Sequence, residues 1–179
     1  MIPAGPLRAP LDAQLRLADA IVVNHGFVAV GMVPNWRRPP ALDTFERPIL
    51  HATIAPVGDL SWLTRGPIVA FAGIGVPKHF FAMLRALGAT LVAEVAFADH
   101  HAFSDDDVRD VLARAKAAGA LLVTTEKDMA RLSGLGGACA DLRAAARAIP
   151  IRMRFGDGDA AYIAAAMKAL VPDGPAALR

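Results

Sequence analysis

Four short clusters in this 179-residue chain have residue types that move protons or hold anions. Asp99-His100-His101 sets a carboxylate beside two imidazoles. Such a group can orient a base, bind a metal or pair with a distant carboxylate. Thr124-Thr125-Glu126-Lys127-Asp128 offers hydroxyls and an ammonium that could face a ligand. It fits equally the capped first turn of a helix, with acidic residues matched to the helix dipole. Gly73-Ile74-Gly75 lacks the third glycine of a dinucleotide fingerprint. It reads as a tight strand-to-helix turn or as a weak anion site at a helix N-terminus. The fourth cluster is Gly156-Asp157-Gly158-Asp159. Outside these, Arg8 in Pro3-Ala4-Gly5-Pro6-Leu7-Arg8 could fork onto a phosphate or carboxylate. None of the four lysines (Lys78, Lys116, Lys127 and Lys168) follows a glycine, so these residues contain no Gly-Lys-Ser/Thr phosphate loop.

The elements that must position these clusters alternate strand and helix. Ile68–Ala72 is a continuous apolar strand running into the Gly73 turn, and Pro77 sits at a natural first helical position. Phe80, Phe81, Leu84 and Leu87 follow at helical spacing, and Gly88 supplies the stop. Leu91–Phe97 is a second strand. Ser104 with Asp107 forms a capping box for a helix whose Val108, Val111, Leu112 and Ala115 share a face. Leu121–Thr124 is a third strand, followed by a short helix from Glu126. After a turn at Gly134–Gly137, the pattern predicts a helix over Asp141–Ala148, a fourth strand over Ile149–Phe155 and a final helix over Asp159–Leu170. Apolar strands alternating with helices specify a parallel sheet covered on both faces, a three-layer α/β domain. Ligands of such sheets sit outside the carboxyl ends of the strands. All four clusters are expected on that rim.

The first third is less regular. Ala18–Asn24 reads as a buried strand, and Pro34, Pro39, Pro40, Pro48 and Pro56 forbid long helices. His51–Ala55 and Phe27–Val33 are candidate strands of a small ribbon within a hinge. The first residues read as a loop that should connect to something earlier. Hydrophobic residues make up 55% of the chain, above the roughly 45–50% of a typical domain, a composition that favours a folded core over disorder. Cys139 is alone, which rules out an internal disulfide framework and a cysteine-rich zinc site. A net charge of +2 does not announce a nucleic-acid binder. No apolar run reaches the length of a membrane span, and no secretory leader is visible.

Taken together, the motifs resemble the tetraacyldisaccharide 4'-kinase (lipid A 4'-kinase) family. The likeness rests on Pro3–Arg8, Ala18–Asn24, Ala70–Gly75 with Pro77 and Phe80-Phe81, Phe97–Phe103, and Val123–Asp128 with Arg131-Leu132. Ala9, Val76 and Ala98 stand where that family usually has Glu, Asn and Pro. The resemblance implies a P-loop domain that binds ATP and Mg²⁺, tied by a hinge to a Rossmann-like lid. It implies transfer of the ATP γ-phosphate to the 4'-hydroxyl of an acylated glucosamine disaccharide lipid, in the cytoplasm at the inner-membrane surface. The family's phosphate loop and Mg²⁺ motif lie upstream of Pro3. This chain is therefore expected to hold the end of the P-loop domain in residues 1–25, a hinge in 26–66 and the lid in 67–179. It is expected to be inactive without a missing or separate P-loop domain. Carried over to this sequence, His100 assists a carboxylate of the P-loop domain as base and Asp99 orients His100. Arg8, His101, Thr125 and Lys127 are implied to meet the substrate. From the residues alone two other readings stay open. One is a non-catalytic α/β module that binds a nucleotide or an acyl-sugar, and the other is a metal-dependent hydrolase built on Asp99 and the two histidines.

Overall fold

A computed structural model describes residues 9–28 and 35–170. In chain order the elements are α1 (Leu11–Leu17), β1 (Ile21–Phe27), β2 (Ile49–Pro56), β3 (Pro67–Ala72), α2 (Pro77–Ala86), β4 (Thr90–Ala96), α3 (Asp105–Ala118), β5 (Leu121–Thr125), α4 (Glu126–Arg131), α5 (Ala138–Ala145), β6 (Ala146–Ile149), β7 (Ile151–Phe155) and α6 (Asp157–Leu170). The chain forms two compact units, the first made of 1–54 with 153–179 and the second of 55–152.

The second unit is built on β3. Its five residues from Ile68 to Ala72 are all buried, as expected of a central strand covered on both faces. The sheet order is β4-β3-β5-β6, with every pair parallel. The chain steps from β3 outward to β4, then returns past β3 to β5. Right-handed crossovers in opposite directions put α2 on one face and α3 on the other. Alternation along β3 then sorts its side chains. Val69 and Phe71 join Val108, Val111 and Ala115 of α3, Leu132, and Cys139 and Leu142 of α5. On α2, Phe80, Phe81, Met83 and Leu84 are buried. Each fully buried aliphatic or aromatic side chain contributes about 1.5–3 kcal/mol.

Local signals set the helix ends as read. Pro77 opens α2, and Gly88 at φ 86° follows it in the left-handed region that glycine tolerates. Ser104 Oγ accepts from the Asp107 N–H at the start of α3, and the Asp107 side chain accepts from the Ser104 N–H in return. The α/β reading of this region therefore holds.

Two expectations are corrected here. The helix over 141–148 ends at Ala145, and the single strand over 149–155 is two strands. Ala146–Ile149 pairs with β5 and completes this sheet. Ile151–Phe155 belongs to the other sheet. Pro150 stands between them and has no N–H to continue a ladder. The alanines favour helix by propensity, but pairing against β5 and full burial of Ile149 override it.

In the first unit, β1, β2 and β7 form a three-stranded sheet with β2 central. β1 runs parallel to β2 with Ile21 opposite Ile49 and Val23 opposite His51. The strand expected over 18–24 lies at 21–27 and holds no buried residue, because it is the edge of the described sheet. The ribbon strand expected over 27–33 falls mostly outside the described residues. Leu50 and Ala52 of β2 are buried. Asp159 Oδ2 accepts from the His51 N–H at 2.7 Å, tying α6 to β2. Arg47 Nη1 donates to the carbonyls of Arg16 and Ala18 at 3.1 and 2.6 Å, satisfying the end of α1. No helix among the described residues is long and apolar enough to cross a membrane.

Candidate functional site

Because β4 and β5 flank β3, the strand order reverses beside β3, and the loops after β3, β4 and β5 meet at one rim. Three of the four clusters lie there. The fourth, at Gly156, follows β7 and belongs to the other sheet, a second correction with the same cause, the break at Pro150.

A buried carboxylate organises the rim. Asp128 is 0% exposed. It accepts from the Gly73 N–H at 3.2 Å, from the Thr125 hydroxyl at 2.7 Å and from Arg131 Nη1 at 2.9 Å. Arg131 also donates to the Gly73 carbonyl, and its Nη2 lies 3.9 Å from Asp99 Oδ1. One guanidinium thus connects the loops after β3, β4 and β5. Gly73 is closely approached: an added Cβ would lie 3.2 Å from both Arg131 Nη1 and Asp128 Oδ1, so these side chains would have to give by a few tenths of an ångström. Beneath them, Thr124 donates to the Phe71 carbonyl at 2.8 Å.

The two histidines have different surroundings. His101 Nε2 lies 2.8 Å from Asp107 Oδ2, and its ring stacks on Phe97 with centroids 4.9 Å apart. His101 thereby clasps its loop to the capping box of α3. The Ser104 hydroxyl first, then His101, then the Ser104 N–H hold the Asp107 carboxyl down at about 2. A depressed carboxyl stabilises the fold above its ordinary value of 3.8, and that contribution is lost as pH falls through about 2. Ser104→Ala should cost about 1 kcal/mol at neutral pH. Chemical denaturation should show the deficit narrowing as pH drops from 3.8 toward 2.

His100 projects into solvent. Its side chain is 83% exposed, with Nε2 3.8 Å from Asp99 Oδ2. Its N–H donates to Asp99 Oδ1 at 3.1 Å. At φ 59° it is the one non-glycine residue in the left-handed region among those described, a conformation that surrounding structure must hold. Lys127 is exposed. The Thr125 hydroxyl, a candidate substrate contact, accepts from the Asp128 N–H at 3.1 Å and donates to its carboxylate, capping α4. Arg8 lies outside the described residues.

Asp128 and Arg131 organise this rim and were not among the residues singled out as a site. The spacing of Thr125 to Asp128 was legible as a cap, but nothing local marks the 55-residue reach to Gly73. Among the described residues no group of three or more His, Cys, Asp or Glu gathers as a metal would require.

Fold and rim define a Rossmann-like α/β protein with its polar groups gathered at the switch point of a parallel sheet. The family model for LpxK, the tetraacyldisaccharide-1-P 4'-kinase, matches residues 1–170, and the chain belongs to this family. It is 44% identical over 135 residues to a tetraacyldisaccharide 4'-kinase of a Bradyrhizobium species, covering 75% of this chain and 38% of that protein. It is 39% identical over 176 residues to that of Methylobacterium nodulans, covering 97% and 48%. The crystal structure of LpxK from Aquifex aeolicus, an "apo" form in complex with ATP, shares the fold. Its TM-score is 0.55 at 20% identity, over 93% of this chain and 47% of that one. The chain spans less than half the length of these relatives.

Proposed function

We propose that this chain supplies the acceptor-side part of a lipid A pathway kinase, which moves the γ-phosphate of ATP to the 4'-hydroxyl of tetraacyldisaccharide 1-phosphate. The observation that carries this reading is His100: an exposed imidazole in a left-handed backbone, beside Asp99, on the rim where α/β folds hold ligands. Phosphoryl transfer depends chiefly on positioning and electrostatics. Here Arg131 holds the Asp99 loop, Asp99 orients His100, and His100 assists a carboxylate of the P-loop segment in accepting the hydroxyl proton. Lys127 offers a mobile cation toward the substrate. Arg8, His101 and Thr125 keep the substrate roles that the family likeness implies, with His101 and Thr125 serving mainly to hold their loops. The acyl-sugar lipid is met at the cytoplasmic face of the inner membrane.

None of the four lysines follows a glycine, so in this reading the phosphate loop for ATP comes from outside these residues. The rim does not fit Mg²⁺ either. The Asp128 carboxylate is taken by Gly73, Thr125 and Arg131, and no three-ligand cluster gathers among the described residues. In this reading, ATP and metal are held by a P-loop domain and the chain is inactive alone. The test is a chimera in which this chain replaces the matching stretch of the Methylobacterium nodulans relative. ATP-dependent phosphorylation of tetraacyldisaccharide 1-phosphate by the chimera, and none by the chain alone, is expected. A folded chimera without activity, beside an active parent, would overturn the reading.

A further inference from the structure

One member of the Thr124–Asp128 stretch is not used by the rim. Asp128 is buried against Gly73 and Arg131, whereas Glu126, the first residue of α4, reaches the start of β7. Its Oε2 accepts from the Ile151 N–H at 3.1 Å and from Arg152 Nη1 at 3.2 Å. Through these residues the chain leaves the second unit, since it passes into the first at Met153. It enters the second unit at Ala55, within β2. Just past that entry, the Val57 N–H donates to the Pro150 carbonyl at 2.9 Å. Entry and exit are thus tied to each other at Val57 and Pro150, and the exit is tied to α4 by Glu126.

We infer that Glu126 is a positioning residue: it fixes the exit of the chain to α4, so that the rim moves as one body with the two connecting strands. This rests on the kinase reading, in which the rim must be presented to an acceptor hydroxyl. The two partners of Glu126 are unequal. The ion pair is exposed, Glu126 at 45% and Arg152 at 62%, and exposed pairs hold geometry weakly. The Ile151 N–H belongs to the backbone and cannot swing away, and Pro150 before it has no N–H to share the task. The reach of the carboxylate to that N–H is therefore what matters. Two residues on, Asp128 accepts from the Gly73 N–H, so less than one turn of α4 joins the exit to the loop after β3. Phosphoryl transfer depends on positioning, and a misplacement of about 1 Å can cost about 10²-fold in rate. The simpler role for Glu126 is to match the N-terminal dipole of α4, which any carboxylate at that position does.

The test sets Glu126→Asp against Glu126→Gln in the chimera. Aspartate keeps the charge at the helix end but is one methylene short of Ile151. Glutamine loses the charge and keeps an acceptor oxygen at the same reach. Glu126→Asp should lower kcat by about tenfold or more, with KM for the lipid within about twofold. Glu126→Gln and Arg152→Gln should stay within about threefold of the unmodified chimera. In this chain alone, amide exchange at Ile151 should quicken by about tenfold in Glu126→Asp and hold in Glu126→Gln, with β3 unchanged in both. Retained kcat in Glu126→Asp, or an equal loss in both Glu126 variants, overturns the inference and leaves the kinase reading standing. Unchanged exchange at Ile151 in Glu126→Asp overturns it as well, and so does faster exchange spread through β3, which would mark a role in stability. An inactive unmodified chimera, beside an active parent, overturns the kinase reading and this inference together.

Discussion

Asp128→Ala should destabilise the second unit by about 3–5 kcal/mol, the range for breaking a buried charge pair from one side. Most domains have only about 5–15 kcal/mol in hand. The carboxylate is fully buried and satisfies three donors at once: the Gly73 N–H, the Thr125 hydroxyl and Arg131. Alanine leaves the two neutral donors without a protein acceptor, each costing about 1–3 kcal/mol when buried. Arg131, 22% exposed, can turn partly to water, which keeps the total below a simple sum. Asp128→Asn retains an acceptor oxygen but not the charge, so its loss should be smaller. A contrasting pair is Arg109–Asp106 on α3, whose side chains are 69% and 88% exposed; exposed pairs of this kind contribute about 0–1 kcal/mol. Urea denaturation of the variants decides the matter, and a loss below about 1 kcal/mol for Asp128→Ala would remove Asp128 from its central place. The same substitution frees the loops after β3 and β4, so activity in the chimera should fall even where the variant remains folded.

His100→Ala is expected to separate activity from stability. In the chimera kcat should drop by about 10²–10⁴, the usual cost of removing a positioned acid–base group. Unfolding should change by less than about 1 kcal/mol, since the ring buries almost nothing. His100→Asn is the more careful variant, because asparagine tolerates positive φ and so preserves the loop. His101→Ala should do the opposite, weakening the fold through Phe97 and Asp107 with a smaller effect on kcat. Steady-state kinetics and denaturation of the three variants together test the assignment. An unchanged kcat in both His100 variants would refute it.

This contrast between neighbouring histidines shows where reading the chain by itself runs out. Strand and helix placement was legible from 67 to 132 because periodicity and caps are local. Val108, Val111 and Ala115 repeat at helical spacing, and Ser104 and Asp107 lie one turn apart. The family likeness was legible for the same reason, as runs of adjacent residues at fixed spacing. The alanine-rich stretch before Pro150 has the local signature of a helix, whereas what makes Ala146–Ile149 a strand is pairing with β5, more than 20 residues earlier.

What the sequence established, then, is the order of the layers, the presence of polar groups at the ends of β3, β4 and β5, and the family. Folding decided which of those groups remain available to a ligand. Thr125 and His101 are spent on caps and on the α3 clasp, while His100 is left in solvent. Asp128 and Arg131, ordinary members of a short helix when read in line, became the link between three loops. The physical reason is that a polar group's role depends on whether its hydrogen bonds are already made. Here the decisive partners, Gly73 with Asp128 and with Arg131, lie 55 and 58 residues apart.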